Sequence, residues 1–167
     1  NGCRDSRRSS PPGSADTSSP PRDIACWSSP TATAEWPAPC SGSVRCAPET
    51  VALLRDGAVP KGDVLAVARV AGIAAAKKTP DLLPLAHVIG VHGVTVDLEI
   101  TDLGVDITAT VRTADRTGVE MEALTAVSVA ALNVIDMVKG RDRSAHIADI
   151  RLLAKAGGRS GAWTRDA

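Results

Sequence analysis

The sequence predicts a two-layer α+β domain, an antiparallel sheet with helices packed on one face, and three stretches lead to it. "GVTVDLEITDLGVDITATVRT" alternates apolar and polar residues on both sides of a turn, as a half-buried hairpin does. "TGVEMEALTAVSVAALNVIDMVKG" repeats its apolar residues at helical spacing. "KGDVLAVARVAGIAAAKKT" is a second helix, apolar nearly all round. A sheet with one apolar face has to be covered, and these helices supply the cover.

The 167 residues suit one domain, large enough to bury roughly two thirds of its unfolded surface. A formal net charge of zero argues against a broad nucleic-acid or anionic-membrane surface. With three Trp and no Phe or Tyr, the core must be aliphatic and tightly spaced, and aromatic platforms for single-stranded nucleic acid are lacking. No run approaches the roughly 18 apolar residues of a membrane span. Neither nucleic acid nor membrane is therefore expected as a partner.

Residues 1–40 are rich in Ser, Pro and Arg, contain no Lys, and show no sustained period. Cys3, Cys26, Cys40 and Cys46 form no close pair and have no His nearby, a weak basis for disulfides or a metal site. Asp5, Asp16, Asp23 and Glu35 argue against a transit peptide. The segment's bias matches an out-of-frame reading of a GC-rich gene. It is expected to be a disordered or non-native leader, followed by a domain over residues 41–161 and a C-terminal tail over 162–167.

Within the domain, "PETVALLRDG" reads as a short helix, with Pro48 at its start and Gly57 at its end. The second helix runs from Asp63, its N-cap, to Lys78, where Thr79-Pro80 stops it. Only Arg69 is polar in its middle, so burial on all sides calls for a second subunit. In the hairpin Val94, Val96, Leu98 and Ile100 share a face, as do Val105, Ile107, Ala109 and Val111, with Asp102-Leu103-Gly104 as the turn. The long helix follows, then "HIADIRLLAK" as a last strand and "AGGRSGAW" as a Gly-rich tail.

At about 100° per residue, Glu122, Thr125, Ser128, Asn133, Asp136 and Lys139 fall in one arc of roughly 140° on the long helix, with Glu120 off the pattern. The arc is either a solvated face or a polar strip whose small side chains leave room for a ligand. Lys61, just before the second helix, is either a solvated side chain or part of a phosphate site at the helix's positive end. His87, closing "LLPLAH", is either a hydrogen-bonded core residue or a general acid–base. The Gly-rich tail lacks the following helix that a P-loop needs.

Together "KGDVLAVARVAGIAAAKKT", "LLPLAH", "TGVEMEALTAVSVAALNVIDMVKG" and "IRLLAKAGGRSG", in this order and at matching intervals, resemble the molybdenum cofactor biosynthesis protein C family, the cyclic pyranopterin monophosphate synthases. The resemblance implies an enzyme that converts 3′,8-cyclo-7,8-dihydro-GTP to cyclic pyranopterin monophosphate and releases pyrophosphate, without a cofactor or metal. It also implies a ferredoxin-like subunit in a cytoplasmic hexamer, a trimer of dimers, with active sites at the dimer interface.

By motif, the resemblance makes Asp136 the catalytic aspartate and Lys61 and Lys139 the two functional lysines, with His87 as a further proton-transfer group. It assigns substrate contacts to Leu85, Ala86, His87, Met121 and Glu122, with Glu120 close by. This chain reads Ala86-His87-Val88 where the family has Cys-His-Pro, and no part of residues 1–40 matches the family's first strand, of the type Met-Val-Asp-Val-Ser. A second reading is a catalytically impaired ferredoxin-like module that assembles and binds a nucleotide or pterin without that strand. A third is a purely structural oligomeriser.

Overall fold

The computed structural model describes residues 36–115, 117–156 and 161–166. In chain order they form β1 (Trp36–Arg45), α1 (Pro48–Arg55), α2 (Val64–Ala76), α3 (Thr79–Leu82), β2 (Gly93–Thr101), β3 (Gly104–Thr113), α4 (Glu120–Val138), β4 (His146–Leu152), β5 (Ala154–Lys155) and β6 (Trp163–Thr164). The main sheet is antiparallel with order β2-β3-β1-β4. α4 lies across β1, β3 and β4, and α2 packs beside it over β2. This is the two-layer α+β arrangement of a ferredoxin-like domain.

β1 holds the main departure from expectation, since it begins inside the segment read as a leader. Its inward side chains are Ala38, Cys40 and Val44, all at most 1% exposed, with Gly42 between them. A Cβ at position 42 would stand 2.6 Å from Val127 Cγ1 and 3.0 Å from Ile150 Cγ1, so only glycine lets α4 lie this close. Pro37 and Pro39 do not interrupt the β1–β3 ladder. Their carbonyls accept from Ala156 N–H and Leu153 N–H on the opposite side, so their missing donors face away from β3. The alternation is faint in the sequence because the inward residues are small and the outward ones include proline. The expected disorder of residues 1–35 falls outside the described residues.

The hairpin follows the expected alternation, with Thr101 paired to Gly104, so the turn is the two residues Asp102-Leu103. Opposite Gly42 the β1–β4 register slips, and Asp149 takes a positive φ of 56° in the bulge. The residues expected on the apolar side of the long helix, from Val119 through Ala123, Ala126, Val127, Ala130 and Val134 to Val138, are all at most 1% exposed. α4 is long and apolar enough to cross a membrane by length and composition, yet that face lies on the sheet.

Where α2 and α4 pack together, Ala68, Gly72 and Ala76 on one and Ala123, Ala126 and Ala130 on the other are buried, which is how a core without Phe or Tyr closes. A Cβ on Gly72 would lie 2.9 Å from the Ala126 carbonyl oxygen. Asp63 caps α2 as expected, accepting from Ala66 N–H at 3.0 Å. Among the described residues, none covers the outer side of α2. Val67 is 44% and Val70 68% exposed.

The stretch 162–167, expected to be a tail, carries β6, which pairs with β5, and Arg165 N–H donates to Leu153 O at 2.8 Å. Most of the Gly-rich stretch, residues 157–160, lies outside the described residues. Asp142, 5% exposed, ties the segment that follows β1 to the one that precedes β4. Its carboxylate accepts from Ala47 N–H at 2.7 Å, from Ser144 Oγ at 2.6 Å and from the Ser144 and Ala145 N–H groups.

Candidate active site

The C-terminal end of α4 brings together three of the expected residues. Lys61, on the α1–α2 connection, places Nζ 2.7 Å from Asp136 Oδ2 and 2.8 Å from the Asp136 carbonyl oxygen. Lys139, one helical turn on, places Nζ 2.7 Å from the other carboxylate oxygen. Hydrogen bonds from Lys139 and then Lys61, followed by their charges, hold the Asp136 carboxyl down at about 2. All three side chains are half exposed or more, so the group contributes little to stability. What it offers is a fixed pair of ammonium groups with a net positive charge, open to solvent.

This location corrects the expectation for Lys61. Its ammonium reaches the carbonyl end of α4 and not the N–H end of α2, which the Asp63 carboxylate already caps. An anion there would meet a negative charge.

The N-terminal end of α4 gathers the other set. Glu122 is 3% exposed, and burial, with the Glu120 charge adding, pushes its carboxyl above the ordinary value, while its own backbone N–H and His87 pull it down. Glu120 Oε1 pairs with Lys155 Nζ at 3.3 Å. His87 is exposed, which removes the core-histidine reading, and it is close enough for its charge to act on Glu122. Leu85 is 95% exposed, Met121 45%, and Ala86 half-buried, so the substrate contacts inferred from the motifs border open space. Cys40 Sγ lies 4.0 Å from the Glu120 carbonyl, and burial first, then the Glu120 charge, pushes its thiol up to about 12. It is a packing residue, not a nucleophile.

The middle of the polar arc does not form the expected strip. Ser128 Oγ donates to Leu124 O at 2.8 Å and Asn133 Nδ2 to Val129 O at 2.9 Å, so both turn back onto the backbone of their own helix. Leu132, 56% exposed, stands among them. Glu120 and Asp136 are about 24 Å apart along α4 at about 1.5 Å per residue. The expected residues thus form two groups at opposite ends of one helix.

Sequence reasoning missed Lys155, read as the end of the last strand, and Asp142. The Asp-x-Ser spacing just after the helix was the available signal for Asp142.

The MoaC family model matches residues 29–158. The chain belongs to the MoaC family. It is 63% identical over 128 residues to a protein of Streptomyces coelicolor named cyclic pyranopterin monophosphate synthase, covering 77% of this chain and 75% of that one. A Nocardioides protein of the same name is 60% identical over 131 residues, covering 77% and 80%. Mycobacterium tuberculosis (strain H37Rv) has a cyclic pyranopterin monophosphate synthase 2 that is 59% identical over 128 residues, covering 77% of each. The MoaC match begins at residue 29, so it includes all of β1.

Proposed function

We propose that this MoaC-family chain is a cyclic pyranopterin monophosphate synthase of molybdenum cofactor biosynthesis, a lyase that converts 3′,8-cyclo-7,8-dihydro-GTP to cyclic pyranopterin monophosphate and pyrophosphate. The observation that carries it is the Lys61–Asp136–Lys139 group, two ammonium groups fixed on one carboxylate in a chain 63% identical to a protein of that name. Making a cyclic monophosphate with release of pyrophosphate requires a substrate hydroxyl to attack the α-phosphorus while the bond to the β-phosphate oxygen breaks. The hydroxyl's proton must leave, and negative charge builds on the departing pyrophosphate. Lys61 and Lys139 offset that charge. Asp136 accepts a proton, and His87, Glu120 and Glu122 transfer protons as the purine ring opens and the pterin ring closes. Leu85, Ala86 and Met121 line the bound nucleotide.

The working unit in this proposal is a cytoplasmic homo-oligomer, a hexamer built as a trimer of dimers. Two observations favour it. The groups at the ends of α4 are too far apart to act on one nucleotide within a subunit, whereas a second copy can set one subunit's lysines beside another's His87 and Glu122. The exposed Val67 and Val70 of α2 give such a copy an apolar face to cover.

The test is pyrophosphate release and pterin formation from the cyclised nucleotide by the purified chain, with Lys61→Ala as background. Release no faster than that background sinks the proposal. Thermal stabilisation by the nucleotide without turnover points to the impaired binding module.

A further inference from the structure

His87 sits in a segment with little of its own to hold it. Leu85 is 95% and Val88 89% exposed, so the side chains on either side bury almost nothing. On the upstream side Ala86 N–H closes a turn on Leu83 O at 2.9 Å. On the downstream side Ile89 packs against the core, and the chain is then clipped to the end of β3. Gly90 N–H donates to Asp115 Oδ2 at 2.6 Å. The Thr113 hydroxyl, fully buried, donates to Gly90 O at 2.8 Å and accepts from Asp115 N–H at 3.0 Å. Both backbone groups of Gly90 are therefore held by one Thr-x-Asp unit.

A second tie lies two residues on. His92 N–H donates to Arg112 O at 2.9 Å, and His92 Nδ1 accepts from Ala114 N–H at 3.2 Å. Because a backbone N–H can only donate, the His92 ring carries its proton on Nε2. The clip residues are the last residue of β3 and the second residue of the connection that leads from it into α4, which begins at Glu120. One short piece of chain thus locates both the imidazole and the carboxylates at the N-terminal end of α4.

We propose that Thr113 and Asp115 are positioning residues for His87, fixing through Gly90 the segment that carries the imidazole against the entry to α4. The proposal rests on His87 serving the synthase site. Neither residue has to touch substrate. Their contribution is orientation, and a reacting group displaced by about 1 Å can cost up to about a hundredfold in rate.

The experiment uses the full chain with Asp115→Ala, Asp115→Asn, Thr113→Val and Thr113→Ser. Asp115→Ala is expected to lower kcat about tenfold with KM changed less than about twofold, and Asp115→Asn, which keeps an acceptor for Gly90 N–H, to recover most of the loss. Thr113→Ser should likewise recover what Thr113→Val loses. If Thr113→Val fails to fold, the Asp115 pair decides alone. A second readout needs no turnover. The chain has three His, so each ring Hε1 resonance is assignable from single His→Gln variants. In Asp115→Ala the His87 resonance should move and sharpen while that of His146 stays in place. An unmoved His87 resonance overturns the proposal, as does wild-type kcat in Asp115→Ala. Wild-type turnover in His87→Gln would instead overturn the role of His87 in the synthase, leaving the resonance to decide whether the clip positions it.

Discussion

Lys61 Nζ lies 2.7 Å from Asp136 Oδ2 and 2.8 Å from the Asp136 carbonyl oxygen, so one ammonium group engages both the side chain and the last turn of α4. Lys139 occupies the remaining carboxylate oxygen. The lysines are thereby placed before any anion arrives. The carboxylate that places them is also the group an anion would displace.

Removing any member should therefore damage chemistry and spare the fold. Lys61→Ala, Asp136→Asn and Lys139→Ala are each expected to reduce turnover by at least about a hundredfold, from lost charge stabilisation or proton transfer, with oligomer size unchanged. Steady-state pyrophosphate release and light scattering on the same samples check this. Near wild-type turnover in all three would refute the assignment of this end of α4.

Glu122 should separate stability from activity. Its carboxyl is raised chiefly by burial. Below the unfolded value of about 4.3 both states are protonated and the group has no effect; as pH rises through the higher folded value, the native protein must ionise a buried carboxyl and loses stability. Glu122→Gln is thus expected to raise Tm at pH 7, to leave it unchanged near pH 4, and to remove the acidic limb of kcat/KM. Asp136, held at about 2, should contribute nothing to that limb in the free enzyme. Melting curves and pH–rate profiles of the variant test both parts.

Asp142 has the opposite sign. The Ser144 hydroxyl and then the Ala47 N–H hold its carboxyl below the ordinary value. That stability is fully present above the unfolded value of about 3.9 and is lost as pH falls through the lower folded one. Asp142→Asn is expected to cost about 1–3 kcal/mol at pH 7, with the difference from wild type shrinking below about pH 4. Urea unfolding at the two pH values measures it. A difference independent of pH would show that the charge is not what matters.

The hairpin and both long helices were legible because their apolar residues recur at periods of two and 3.6 over many residues, and the motifs named the candidate site residues. What lay hidden was spatial. Periodicity put Glu122 and Asp136 on one face of α4 without revealing that Ser128 and Asn133, between them, bond back to their own helix. Lys61 was placed by its neighbours in sequence, at the start of α2, whereas its side chain reaches a helix end contributed from far along the chain. Thr113 and Asp115 carry no motif of their own, because their partners are backbone groups of Gly90.

Within the proposed oligomer, the outer face of α2 is the surface to disrupt. Val70, 68% exposed, is expected to tolerate Glu in an isolated subunit and to oppose burial against another copy. Val70→Glu should shift the mass found by light scattering toward smaller species and lower activity with it. An unchanged mass would place the interface elsewhere.

The start of β1 supplies the last test. Had the leader reached residue 40, deleting it would cost little. The structure instead places Ala38 and Cys40 in the core, pairs residues 36–40 with β3, and has Pro37 and Pro39 carbonyls accept from Ala156 and Leu153. A chain that starts at Ser41 loses two buried side chains and half of a central strand. It also strips pairing from the β3 residues Ala109, Val111 and Thr113, the last of which clips the His87 segment. Its Tm is expected to fall by more than about 4 °C, with turnover reduced further than the stability loss alone explains. A chain that starts at Glu35 keeps all of β1 and serves as the control. Equal Tm for the two would mean that residues 36–40 add nothing to the sheet.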